Sequence, residues 1–386
     1  MDLKHRNRDL NLREAAQQTR RLRSRPMSFW LDLTGRCSLA CRHCPYHIHG
    51  RTSDQEMSDT VYRRVMDEVM PSAFTCHLGG TNYGEMTIAR RFHEFLRDCG
   101  KHHVKVNLTT NGTRLADEWF DNLTAALCKI SFSMEGIGEQ FELIRGFSWD
   151  KFLANVTRVC RAKPDRGPGF RVEWHYCTHA DSIRQLPEMI RMAADLGVDR
   201  IQVMNLVPYI AGQKHKQLGY HRTLANAVFA EARALAADLR LDVSVPPDFS
   251  VGTFDKPAEP ARPASRQELM LPRCHTPWQT CSINELGAVR PCATYWRPMG
   301  SIADGTFESV WNGRRYRQLR GRINRRSFRQ CYHCRQPRFD SEENLASMQL
   351  APSLKQIASA KLHSLLHPVR VTYAGAMESD HNPLAP

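Results

Sequence analysis

Residues 29–44 read FWLDLTGRCSLACRHC: an apolar strand, then a short loop carrying Cys37, Cys41 and Cys44. Three thiols at spacing x3 then x2 can grip three irons of a [4Fe–4S] cube. The fourth iron is then left without a protein ligand. An open iron is a place where a molecule can bind and react, so the loop points to a reaction centre and not only to an electron store. A structural zinc site stays open on this stretch alone. His43, His47 and His49 stand nearby, although zinc ligands come mostly as paired Cys-x2-Cys or Cys/His sets.

Working outward, the chain alternates strand and helix. Strands are expected at 29–34, 73–78, 103–110, 129–134, 170–177 and 200–207. Helices are expected near 58–70, 87–100, 115–127, 149–162, 182–197 and 221–240. Repeated strand-then-helix units predict a parallel sheet with crossover helices. Side-chain parity sharpens this. Val104, Val106 and Leu108 alternate with Lys105, Asn107, Thr109 and Asn111. Ile130, Phe132 and Met134 alternate with Ser131, Ser133 and Glu135, and Val172, Trp174 and Tyr176 with Glu173, His175 and Cys177. A doubly wound sheet is apolar on both faces. One apolar and one polar face fit instead a partial (β/α)6 TIM-like barrel with a polar lumen. In such barrels the site lies at the C-terminal ends of the strands, where the three-cysteine loop sits. Glu173, His175 and Cys177 share the lumen face and are the candidate catalytic residues, with Cys177 nearest the strand end.

With 386 residues the chain has room for a large domain and a smaller one. The N-terminus is basic and lacks the apolar run of a secretory signal, and no apolar run reaches membrane-spanning length. Thirteen cysteines without an export signal argue for a reducing compartment, hence the cytoplasm, where thiols bind metal or stay free. The net charge is +14 and uneven: residues 1–26 carry eight Lys or Arg against three acids, and residues 313–338 carry ten Arg and no acid. Such runs serve an anionic partner or simply form a solvated face. No aromatic-interleaved signature accompanies them, which disfavours nucleic acid.

The three-cysteine loop and its surroundings resemble the radical S-adenosylmethionine (SAM) superfamily. HLGGTNYGEM (77–86) is similar to that family's glycine-rich segment, with Met86 at its usual Pro. VNLTTNGTRL (106–115) is similar to its third strand and Thr-Asn-Gly turn. ISFSMEGIGEQFELIRG (130–146) and LPEMIRMAADLGVDRIQVMNLVP (186–208) resemble its later elements. The resemblance implies a SAM-binding [4Fe–4S] cluster on Cys37, Cys41 and Cys44. It implies that the Gly84-Glu85 step lies near the SAM amine, that Ser133 and Arg145 hold the ribose and carboxylate, and that His43 lies against the adenine.

Downstream, RCHTPWQTCSINELGAVRPCATYW (273–296), MGSIADGTFESVWNGRRYRQLRG (299–321) and CYHC (331–334) resemble the twitch and SPASM modules found after radical SAM barrels. The resemblance implies an auxiliary [4Fe–4S] cluster on Cys274, Cys292, Cys331 and Cys334. No cysteine follows Cys334, which matches the shorter twitch form with one closed cluster. Cys281 is a fifth thiol that could replace one of the four. The expected organisation is a basic N-terminal arm (1–27), the barrel (28–245), a Pro-rich linker (246–273), a small iron–sulfur domain of twitch type (274–340), and a C-terminal helix and tail (341–386).

Taken together these readings imply a radical SAM oxidoreductase. Reductive cleavage of SAM would give a 5′-deoxyadenosyl radical that abstracts hydrogen from substrate, and the auxiliary cluster would take up an electron. The polar lumen and the single closed cluster suggest a polar, sugar-like small molecule as substrate. A peptide-maturing enzyme that forms crosslinks or epimers is the alternative, and a nucleic-acid modifier is a further one. A flavodoxin or ferredoxin would supply electrons, and no membrane partner is implied.

Overall fold

The parity of the strands decides the layering. In the computed structural model, which describes residues 3–44, 53–79, 84–115, 126–166, 169–206, 211–249, 273–292, 295 and 297–325, that parity is met strand by strand. Phe29, Leu31, Cys76, Leu78, Val106, Ile130, Phe132, Val172, Trp174 and Ile201 are fully buried on one face. Trp30, His77, Asn107, Ser133, His175, Cys177 and Gln202 alternate with them and are half-buried. Most of the helix expected at 115–127, most of the linker, Cys331, Cys334 and the segment 341–386 lie outside the described residues.

The chain runs α1 (Leu3–Ala16), β1 (Ser28–Leu31), α2 (Asp59–Glu68), β2 (Thr75–Leu78), α3 (Phe92–Lys101), β3 (Lys105–Thr110), β4 (Leu127–Met134), α4 (Glu139–Arg145), α5 (Trp149–Arg161), α6 (Lys163–Arg166) and β5 (Arg171–Thr178). It continues through α7 (Leu186–Leu196), β6 (Arg200–Asn205), α8 (Arg222–Asp238), β7 (Asp242–Ser244), α9 (Thr276–Gln279), β8 (Thr280–Ile283), β9 (Ala288–Arg290), β10 (Gly300–Ser301), α10 (Phe307–Trp311) and α11 (Arg314–Arg322). The crossover helices lay apolar ridges on the sheet at helical spacing. Examples are Phe92, Phe95, Leu96 and Cys99 on α3, and Phe152, Val156 and Val159 on α5. Ser58 and Ser148 cap α2 and α5 by accepting from backbone N–H groups one turn on.

Strand order is β10-β9-β8-β1-β2-β3-β4-β5-β6-β7. From β1 to β7 all pairs are parallel, as the strand–helix alternation predicts. Among the described residues β7 and β10 are the edges, so the sheet stays open and the barrel is partial. The segment after the linker adds to this sheet. Thr280–Ile283 pair in parallel with Ser28–Leu31, and β9 and β10 follow antiparallel. The strand that leads into the three-cysteine loop is therefore hydrogen-bonded on both sides.

The basic N-terminal arm is built into the fold. It packs where the strands begin, opposite the cysteine loop. Lys4 Nζ donates to the carbonyls of His102 and His103, just before β3. Asn11 Nδ2 reaches the Trp278 carbonyl at 2.7 Å. The Glu14 carboxylate, 6% exposed, accepts from Arg23 N, Ser24 N and Ser24 Oγ. Trp278 and Trp311 donate their ring N–H groups to the carbonyls of Thr19 and Ser24. Part of the arginine excess is spent here as well. Arg320 is wholly buried, donates to the carbonyls of Pro277, Trp311 and Arg20, and stacks on Trp311 with its guanidinium carbon 4.3 Å from the ring centre. Arg25 pairs with Glu308. Arg320 thus belongs to neither a solvated face nor a partner surface, and Arg25 is half-buried in its ion pair. Among the described residues no helix is long and apolar enough to cross a membrane.

Glu14→Ala leaves three donors at 23–24 without their acceptor. It is expected to lower unfolding stability by about 2–3 kcal/mol, because buried unsatisfied groups carry their full desolvation cost. Urea unfolding followed by tryptophan fluorescence checks this; an unchanged midpoint would mean that Glu14 does not hold the arm in its folded course.

Candidate functional site

The three-cysteine loop leaves β1 at its C-terminal end and is tied down at several points. Leu33 N lies 3.1 Å from Met86 Sδ, Gly35 N donates to the Gln55 carbonyl, and Glu85 N donates to the Arg36 carbonyl. The backbone passes too close here for side chains. A Cβ on Gly84 would stand 2.2 Å from the Thr34 carbonyl oxygen, and one on Gly35 would stand 2.2 Å from that of Ser53. Arg42 N donates to the Ile144 carbonyl, which links the loop to α4.

Cys37, Cys41 and Cys44 are half-buried. Burial pushes the Cys37 thiol up and raises Cys41 to about 12. Thiols in so dry a place ionise only beside compensating positive charge, which iron supplies. Asn111 Nδ2 lies 3.7 Å from Cys37 Sγ and 3.1 Å from Ser38 Oγ. The charge of Arg145 acts on Cys41. Among the described residues no three Cys, His, Asp or Glu side chains converge on one ion-sized point; His47 and His49 lie outside the described residues. Three thiols on one short loop suit an iron–sulfur cluster, in which each iron takes one thiolate.

Beside the loop lies a buried ion pair. Arg145, at the end of α4, grips Glu135, just past β4, with Nε and Nη2 each 2.6 Å from a carboxylate oxygen. Their side chains are 5% and 3% exposed. Burial alone would push the Glu135 carboxyl up, but the guanidinium holds it below its ordinary value. His43 Nε2 lies 3.3 Å from Glu135 Oε1, and burial lowers the pKa of its ring. Among the described residues His43 Nδ1 makes no hydrogen bond. Ser133 is half-buried on the same lumen face.

The Glu85 carboxylate is fully engaged within the protein. Oε1 accepts from Thr87 N, Thr87 Oγ1 and Thr110 Oγ1, and Oε2 from Asn111 N at 2.7 Å. It knots the glycine-rich segment to the Thr-Asn-Gly turn. Four donors within the protein thus occupy this carboxylate.

The three catalytic candidates on β5 do not sit together. Cys177 stands beside Glu135 and Arg145; burial, with Glu135 adding, raises its thiol to about 12. Glu173 is four residues back, about 13 Å deeper along the strand. Its Oε2 lies 2.9 Å from Lys129 Nζ and 3.9 Å from His175 Nε2. Burial would raise the carboxyl, but the His175 ring and the Lys129 ammonium hold it at about 2. These partners thus favour the anionic form of Glu173 near neutral pH. Next to it, Asn107 Nδ2 lies 3.4 Å from His77 Nδ1, and His77 stacks on Trp30 with centroids 4.9 Å apart. Burial and Lys129 keep His77 neutral, at about 4. Trp30, His77, Asn107, Lys129 and Glu173 form a polar lumen floor. Glu173 was expected there; parity alone could have added Trp30, His77, Asn107 and Lys129, since each takes the lumen position of its strand. Asn111 and Glu135 also lay outside the expected site set, although both stand on the parity face that pointed to it.

In the C-terminal module, Asn324 holds Cys274 from both sides, accepting from Cys274 N at 2.8 Å and donating to its carbonyl at 3.1 Å. Cys292 follows β9 and is half-buried. Cys281 is fully buried in β8, in register with Phe29, which pairs in turn with Cys76 on the apolar face. Its surroundings are those of a small hydrophobe in the core.

Comparison with known proteins gives the family. The family model described as "Radical SAM superfamily" matches residues 31–173, and the SPASM model, "Iron-sulfur cluster-binding domain", matches 274–335. The tungsten-containing aldehyde ferredoxin oxidoreductase cofactor-modifying protein of Pyrococcus furiosus is 28% identical over 190 residues, 46% of this chain and 51% of that one. The PqqA peptide cyclase of Bradyrhizobium diazoefficiens is 25% identical over 296 residues, 74% of this chain and 70% of that one. The chain thus spans about half the length of the first relative and more of the second. Among solved structures, Streptococcus suis SuiB bound to S-adenosylmethionine superposes with a TM-score of 0.57 at 16% identity, covering 82% of this chain and 72% of that one, which shows the shared fold. The implied cofactors are SAM, its [4Fe–4S] cluster and auxiliary iron–sulfur binding. This chain is a radical SAM enzyme, a partial α/β barrel of that superfamily followed by a SPASM-type iron–sulfur domain.

Proposed function

We propose that this radical SAM enzyme matures a peptide substrate by hydrogen abstraction, forming a crosslink or an epimer. The observation that carries this reading is the match to a PqqA peptide cyclase along 74% of the chain. It favours the peptide alternative over the sugar-like small molecule suggested by the polar lumen. The open sheet edges at β7 and β10 are in keeping with an extended substrate, which an enclosed pocket would not admit.

When bound, the cluster and SAM supply an electron and a carbon-centred radical; the chain supplies position. In this reading Cys37, Cys41 and Cys44 hold the cluster, and the Asn111 amide orients Cys37. Glu135 locks the Arg145 guanidinium and leaves Nη1 to meet the SAM carboxylate. The amine contact falls to the main chain at Gly84-Glu85, Ser133 serves the ribose, and His43 lies against the adenine. Cys177, a neutral thiol beside this group, is the catalytic candidate that meets the substrate radical. Glu173 and His175 act lower down, with Lys129, as a charged and polar floor that grips a substrate side chain. Cys274, Cys292, Cys331 and Cys334 carry one auxiliary cluster, to which a flavodoxin or ferredoxin has electronic access.

Three outcomes test these assignments. With SAM and reductant under anaerobic conditions, 5′-deoxyadenosine release should depend on a peptide from the host extract. Release with the small-molecule fraction alone would return the reading to a metabolite. Glu135→Gln should destabilise the cofactor-free protein by about 3 kcal/mol, because it leaves Arg145 buried without its counter-charge; a residue that served only SAM would leave urea unfolding unchanged. The third is a pH effect. The folded Glu173 carboxyl sits at about 2, below its ordinary value of 4.5, so its contribution is present above pH 4.5 and lost as pH falls toward 2. Glu173→Gln should therefore flatten the fall of the unfolding midpoint on acidification, and parallel curves for the two proteins would sink the assignment.

A further inference from the structure

Six arginines that the fold does not consume meet on one concave surface. Arg20 and Arg21 follow α1, Arg314, Arg317 and Arg322 lie on α11, and Arg325 comes just after it. They line a cleft of about 640 Å³, with Gln318 and Gly321 completing the wall. All six are exposed. Among the described residues none of them pairs with an acid, in contrast to Arg25, which faces Glu308.

A run of arginines on one solvated helix fans outward and lowers its own repulsion. Here two segments far apart in the chain are pinned face to face. Arg320, buried beneath the cleft, donates from Nη1 to the Arg20 carbonyl at 3.2 Å. Gly321 makes room for the approach, since a Cβ there would stand 2.9 Å from Arg20 Nε. Gathering like charges costs Coulomb energy, and an anion between them repays it. The planar guanidinium fork matches carboxylate and phosphate oxygens two at a time.

The lining decides between classes of partner. Among the described residues it holds no aromatic ring on which a base could stack, and single-stranded nucleic acid binding leans on such platforms. Among the described residues the cleft is compact, lined by two short segments of the chain. We propose that it docks a carboxylate-rich segment of a polypeptide partner. The docked segment would lie against the turn in which Asn324, next to Arg325, clamps the backbone of Cys274. The partner would thus be seated beside the iron–sulfur module and away from the mouth of the barrel. This inference does not depend on the substrate being a peptide.

The test uses the full chain and a fluorescein-labelled decaglutamate peptide as probe, with an RNA of about ten nucleotides as competitor class. Anisotropy should show binding that weakens steeply with salt, and hydrogen exchange should show protection at residues 19–25 and 314–325. Arg314→Gln/Arg317→Gln/Arg322→Gln should weaken peptide binding about tenfold or more, since each exposed contact contributes modestly and three are lost. Its unfolding midpoint should not move, because all three side chains are exposed; if it does, Arg21→Gln/Arg325→Gln serves in its place. Unchanged peptide affinity in the folded variant, or protection confined to other segments, would overturn the proposal. Tighter binding of the RNA at the same residues would overturn it in favour of a nucleic-acid surface.

Discussion

β1 is hydrogen-bonded on both sides, to β2 and to β8, and the rest of the molecule is arranged around that fact. A strand at an open barrel edge would leave its C-terminal loop free to move. Here Ser28–Leu31 pair residue for residue with Thr75–Leu78 on one side and Thr280–Ile283 on the other. The cysteine loop therefore leaves from a fixed point. The same pairing joins the C-terminal module to the barrel through main-chain hydrogen bonds, so the relation between the two cysteine sets is set by sheet register. The N-terminal arm closes the opposite end of this joint, through Asn11 and the indole groups of Trp278 and Trp311. Much of that seam is polar and hydrogen-bonded, which gives it direction that apolar packing alone lacks.

Above the sheet, charge is placed by pairing. The Glu135–Arg145 pair is almost wholly buried, where desolvation is costly and the attraction between partners offsets it only with good geometry. Two parallel contacts at 2.6 Å provide that geometry. Such a pair is a weak source of stability and a strong source of position. It fixes a cation beside Cys41 and a thiol beside an anion at Cys177. Glu85 does the same job by different means: its carboxylate is exhausted by four donors, and what it fixes is the backbone of two neighbouring strand ends.

The sequence made some of this legible and hid the rest for physical reasons. Period-two alternation is strong in β3, β4 and β5, so the parallel sheet, its apolar face and its polar lumen were readable from residues such as Phe132 against Ser133. The cysteine spacing and the ordered barrel segments pointed to the superfamily. The helix α1 was not readable, because the side chains it buries include Lys4, Asn11 and Glu14 and make no apolar stripe. The strand β8 was hidden because four residues, Thr280–Ile283, are buried on both faces and show no alternation. Cys281 looked like a spare ligand until pairing with Phe29 put it in the core. The arginine runs could not be divided by composition: Arg320 and Arg317 stand on the same helix, one wholly buried and one exposed, and only the packing separates them.

The depth of the lumen bears on what the enzyme acts upon. Cys177 and the Glu135–Arg145 pair lie at the strand ends, while Glu173, Lys129 and His77 lie about 13 Å lower. A substrate that reacts near the cysteine loop and is also gripped at the floor has to bridge that distance. A single compact ring is too short to do both. A long side chain on an extended backbone can reach down while the backbone crosses the open top. The floor also offers a preference, since Lys129 is already balanced by Glu173 and His77 is neutral. A side chain that brings its own full charge would disturb that balance, whereas a neutral hydrogen-bonding group could share Asn107 and His77 without doing so. The polar face of β5 thus divides into two places, a neutral thiol at the end of the strand and a charged cluster at its base.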